Sequence, residues 1–171
     1  MPDQVKTRRY SSPQRREQAA ATRLSVLAAA RDLIQDRGYA ATTVVDVARR
    51  AGVSVDTAYA SVGRKSELVL AVVDTVLGGG DEPVPAEQRN YVRAVRAEQT
   101  ARGKIQIYAA AVARLAPRIA PLQEALRKAG DTDAACAQTW SRLVNRRAAN
   151  MLLFAADLRS TGDLRADLSD R

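Results

Sequence analysis

The chain has no histidine, which removes the side chain that most often does general acid–base work near neutral pH. Its single cysteine, Cys136, excludes a disulfide framework, and without a second thiol or an imidazole it leaves no convincing zinc site. Cys136 sits in an alanine-rich stretch with no base beside it. There is also no nucleophile motif and no glycine-rich phosphate loop, so no enzyme is expected, and no metal or cofactor. Aromatic residues make up 4% of a chain that is 46% apolar, a poor supply for stacking on single-stranded bases. No apolar run reaches membrane-spanning length and no signal-peptide core follows the charged N-terminus, which implies a cytoplasmic protein with no membrane partner. Nothing alternates with period two. The 171 residues therefore read as all-α, in one or two domains.

What is present in excess is positive charge. Lysine and arginine number 27 against 19 acidic residues, a formal charge of +8 that favours a polyanionic partner. Residues 1–23 carry six of the cations (Lys6, Arg8, Arg9, Arg15, Arg16, Arg23) against Asp3 and Glu17. Residues 1–20 thus read as a flexible basic arm, either a solvated leader or a segment that adds counterion release on DNA.

The most informative stretch runs from Ala40 to Leu68. Thr43 can cap a helix whose Val44, Val47, Ala48 and Ala51 share one face. Gly52 closes that helix, Val53 can plug the corner between two steeply crossed helices, and Ser54 caps the next one. The second helix, from Val55 to about Ser61, is short and exposes Asp56, Thr57, Tyr59 and Ser61. Such a helix suits entry into a major groove with its N-terminal end toward the base edges. Asp56 has two readings, a dipole-complementing residue of the first turn or an acceptor for cytosine N4. An ordinary three-helix core is the plainer reading of the whole stretch; turn, caps, Tyr59 and Lys65 together favour DNA.

Over roughly Arg15 to Leu77 the sequence resembles the tetracycline-repressor (TetR) family of bacterial transcription regulators, through Thr43, Ala48, Ala51, Gly52, Val53, Ser54, Thr57, Tyr59, Lys65 and Leu68. The resemblance implies a DNA surface made of Thr43, Ser54, Val55, Asp56, Thr57, Tyr59, Ser61 and Lys65. Within it Thr57 would face the groove, and Tyr59, Lys65 and Thr43 would hold phosphates. Two departures stand out: Val45 where many members have a basic residue, and Ser61-Val62 where the recognition helix usually ends in an aromatic pair containing histidine. The usual guanine reader is absent at position 45.

A supporting helix is expected from about Thr22 to Arg37, with Val26, Leu27, Ala30, Leu33 and Ile34 inward and Gly38 as its stop. Another is expected from Lys65 to Leu77 through Leu68, Val69, Val72, Val73 and Val76, ended by Gly78 to Gly80. Residues 21–80 then form the helix-turn-helix domain, with Asp81 to Pro85 as linker. Residues 86–171 form a helical regulatory domain. Its expected helices are a short one over Ala86–Glu98, one from Ala101 to Leu115 with Ile105, Tyr108, Val112 and Leu115 inward, and one from Ile119 to Gly130 after interruption by Pro117 and Pro121. A long helix from Asp133 to near Ser160 should follow, with Trp140, Val144, Ala148, Met151 and Ala155 on one face. Tyr108, Val112, Trp140, Met151 and Phe154 are the candidate ligand-binding residues, each also readable as plain core, and Arg146-Arg147 reads as solvated surface.

The family implies a double-stranded DNA operator, a small-molecule inducer and a homodimer reading two half-sites. Only Thr161 to Arg171 follow the last expected helix, where the family continues with two further long helices. The second domain is accordingly expected to be shortened and the dimer to lack those helices. The function so implied is a ligand-responsive regulator, in the first instance a repressor; the alternative is a truncated binding module that no longer grips an operator.

Overall fold

A computed structural model describes residues 13–80, 83–165 and 167. Among these the chain is wholly helical: α1 (Pro13–Ala41), α2 (Val44–Ala51), α3 (Val55–Val62), α4 (Lys65–Gly78), a 3-10 turn (Ala86–Gln88), α5 (Asn90–Ala97), α6 (Ala101–Ala129) and α7 (Ala134–Arg159). Of the expected arm, residues 13–20 are part of α1, and 1–12 lie outside the described residues. The earlier start has a local cause. Pro13 is preorganised for a first helical position, and the Gln, Arg, Glu and Ala that follow are good helix formers even though every side chain from 13 to 20 is exposed. Regular geometry breaks at Gly38 (φ 78°, ψ 166°), and Tyr39 turns into the core behind it.

The helices α2 and α3 have eight residues each, too few to be stable in isolation, so tertiary burial must hold them. The main core supplies it: Val26, Leu27, Ala30, Leu33 and Ile34 of α1 meet Val47, Val62 and the α4 residues Leu68, Val69, Val72 and Val73. Each large apolar side chain fully buried there contributes about 1.5–3 kcal/mol. The same core continues into Leu122 and Leu126 of α6 and Cys136 and Leu143 of α7. Helix α4 is therefore sheathed by helices from both halves of the chain.

In the second half the structure departs from the sequence reading at several points. Helix α6 is continuous through Pro117 and Pro121. Ala113, Pro117 and Pro121 lie at i, i+4 and i+8 on the exposed side, so the carbonyls left without amide partners can be hydrated, while Leu115, Leu122 and Leu126 anchor the opposite side. Ile105 is exposed and Lys104 buried, the reverse of their hydropathies. Lys104 is held inside by the Val95 carbonyl (2.9 Å) and the Asp157 carboxylate (3.0 Å), joining α5, α6 and α7. Helix α7 runs as expected from the Asp133 cap to Ser160, but it buries Cys136, Thr139 and Leu143 and leaves Val144 and Ala148 exposed. The single helix expected over 86–98 is broken at Arg89, whose backbone is extended and whose side chain is buried.

Candidate functional site

Helices α2 and α3 meet at a corner built by local chemistry. Thr43 accepts from the Asp46 amide (3.1 Å), and Asp46 accepts in turn from the Thr43 amide (3.3 Å) and hydroxyl (2.7 Å), a complete capping box. These bonds, the side-chain one first, hold the Asp46 carboxyl below its ordinary range. Gly52 closes α2 in the left-handed region (φ 69°), where its N–H reaches the Ala48 and Arg49 carbonyls. Val53 then packs against Val44, Ala48 and Ala58, filling the corner as expected. Ser54 caps α3 by accepting from the Thr57 amide (3.1 Å).

Ala58 and Val62 are the inward side of α3, which leaves Val55, Asp56, Tyr59 and Ala60 facing solvent. Ser54 and Thr43 are also exposed, and Thr57 is half-buried with its hydroxyl 2.7 Å from that of Ser54. The Ser61 hydroxyl donates back to the Thr57 carbonyl (2.7 Å), while the Ser61 carbonyl takes a bond from the Arg23 guanidinium, tying the end of α3 to α1. Lys65 donates to the Ala40 carbonyl (3.1 Å) and lies 4.2 Å from the centre of the Tyr39 ring. Burial lowers its pKa. Tyr39 in turn places its hydroxyl 3.3 Å from Cys136 of α7, and burial raises the phenol's pKa. The candidate DNA residues thus lie on α3 and the two flanking helix starts, on a platform whose underside touches α7.

Residues 26–72 match the family model described as bacterial regulatory proteins, tetR family. Over this segment, a little over a quarter of the chain, the sequence is similar to that family. No curated protein and no solved structure matches the chain. The matched segment begins within α1, contains the whole helix-turn-helix and ends within α4.

Beyond the matched segment the chain forms a cavity of about 310 Å³ between α4, α5, α6 and α7. Four of the five candidate ligand residues line it: Tyr108, Val112, Met151 and Phe154. The Tyr108 and Phe154 rings stack with centroids 4.7 Å apart, Tyr91 approaches Tyr108 at 6.4 Å, and the Tyr108 hydroxyl sits 3.4 Å from the Met151 sulfur. Trp140 is not part of the wall. It packs against the main core, because α7 is turned so that its first half faces α1 and α4.

The polar side of the cavity escaped the sequence reading. Arg146, expected in solvent, makes a two-pronged pair with Asp74 of α4 (2.8 and 2.9 Å). Arg89 reaches the same carboxylate at 3.4 Å. One clue was present in the sequence, an acidic residue set between the apolar positions of α4, but its partners lie 15 and 72 residues away.

Proposed function

We propose that this protein is a ligand-responsive transcriptional repressor that acts as a homodimer on a double-stranded DNA operator, with residues 21–80 as its DNA-binding unit and 86–171 as its ligand-binding unit. One observation carries the reading: α4 belongs to both. Its Leu68, Val69 and Val72 form the floor under the helix-turn-helix, while Val73 and Leu77 line the cavity and Asp74 is held by cavity arginines. A helix so shared cannot shift at one end without moving the other, because packed cores switch between arrangements rather than deform freely.

On DNA, Thr57 reads a base edge from the first turn of α3, with Val55 and Asp56 beside it. Ser54, Tyr59, Ser61, Thr43 and Lys65 position the backbone. Lys65 is well placed for this because its ammonium is already held at the platform edge. An inducer that fills the cavity favours a second position of α4 and alters the spacing of two recognition helices. Supporting links across the same joint are the ion pair of Arg142 with Glu67 and the Tyr39–Cys136 contact.

The test is a gel-shift titration on DNA upstream of the gene, in the presence of excess unrelated DNA. Sequence-selective retardation that a small organic molecule reverses is the expected result. Retardation of neither DNA would favour a binding module without an operator, in line with the exposed Val45 where the family's pattern has a basic residue.

A further inference from the structure

We propose that the cavity takes an organic anion, a carboxylate on a flat or extended apolar body, and that the carboxylate competes with Asp74 for Arg89 and Arg146. The inference rests on the reading of this cavity as the ligand site and adds the chemical class of the ligand.

The argument begins with charge. Asp74 offers one carboxylate to two guanidinium groups, so one positive charge at this point has no counterpart. Arg89 is the more demanding of the two. Its side chain is 6% exposed, its only bond to Asp74 is long at 3.4 Å, and its Nε is buried with no partner. A buried, unpaired guanidinium N–H is costly, and few such groups occur in a folded protein without a role. Arg147 adds a further cation on the cavity wall. Against these, Asp157 is already neutralised by Lys104 at 3.0 Å, and Glu87 is exposed. The remaining wall is aromatic and aliphatic, built around the Tyr108–Phe154 stack.

An arginine presents parallel donors that match a carboxylate two at a time. A ligand carboxylate at Arg89 would engage the unused Nε and draw the guanidinium from Asp74. Because Asp74 belongs to α4, that exchange loosens the hold of α5 and α7 on the helix beneath the DNA-binding surface. The neutral amide of the same ligand has the same shape without the charge, and cannot make this exchange.

The experiment measures binding of decanoate and of naphthoate to the full chain by calorimetry, each against its primary amide. At least one carboxylate should bind saturably and about tenfold or more tighter than its amide. Arg89→Met should abolish that preference, bringing the acid down to the amide's affinity. Asp74→Asn, which removes the competing charge, should tighten the carboxylate several-fold more than the amide, and it decides the matter should Arg89→Met fail to fold. Equal affinity for acid and amide overturns the proposal, as does an Asp74→Asn variant with unaltered preference, or no binding of either carboxylate at about 1 mM. A carboxylate that binds selectively but does not release operator DNA would keep the ligand class and refute ligand-responsive repression. Release by a neutral molecule alone would do the opposite.

Discussion

At the scale of single residues, the helix-turn-helix is fixed by hydroxyls. Thr43→Ala removes a cap and should lower unfolding stability by about 1 kcal/mol in a denaturant titration. The effect has a pH signature. Asp46 is held below its unfolded value of 3.8, so what it contributes is complete above that value and is lost as the pH falls through the lowered folded value. Parent and Thr43→Ala should therefore differ most at neutral pH, with the gap narrowing but not closing in strong acid, where the bond from the Asp46 amide to the Thr43 hydroxyl persists; a constant difference would deny the capping box its carboxylate. On the proposed DNA surface the residues should divide by role. Tyr59→Phe and Lys65→Ala should weaken all sequences alike, whereas Thr57→Ala should change the ranking of operator variants by about 1 kcal/mol or more. Competition binding across a panel of operators separates the two patterns, and a uniform loss for Thr57→Ala would place it among the phosphate contacts.

At the scale of elements, what could be read in the sequence tracks how local its cause is. Helices α2, α3 and α4 were legible because Thr43, Ser54, Gly52 and Gly79 act on their own neighbours through caps and a left-handed backbone. The inward faces of α6 and α7 were not. Lys104 goes inside because Val95 and Asp157 await it, and Ile105 stays outside, a choice that hydropathy spacing cannot anticipate. Helical spacing and residue type point Trp140 to the cavity and residue type points Arg146 to solvent; distant packing decides both. The prolines of α6 show the same competition, since tertiary anchoring overrides a local breaker. Pro117→Ala should restore one backbone bond on an exposed face and raise stability by up to about 3 kcal/mol in thermal unfolding. A variant no more stable than the parent would mean that α6 has adapted to its proline.

At the scale of the whole molecule, the +8 charge and the shared α4 set the behaviour to expect. Operator affinity should fall steeply with salt, by about 0.9 in log–log slope for each phosphate contact. Val144, Ala148 and Leu152 form an exposed stripe at i, i+4 and i+8 on α7, away from the cavity wall, and it is available for the proposed pairing of two chains. Val144→Lys combined with Leu152→Lys should move sedimentation toward the monomer and weaken operator binding, with little change in the unfolding midpoint. A variant that sediments like its parent would put the pairing surface elsewhere. The most direct test of an operator-binding repressor is equilibrium titration of the full chain with labelled DNA from upstream of its gene, alongside a scrambled duplex, at about 150 mM salt. Affinity for the upstream DNA at least about a thousandfold above the scrambled duplex is the predicted result. Equal affinity for the two would contradict it.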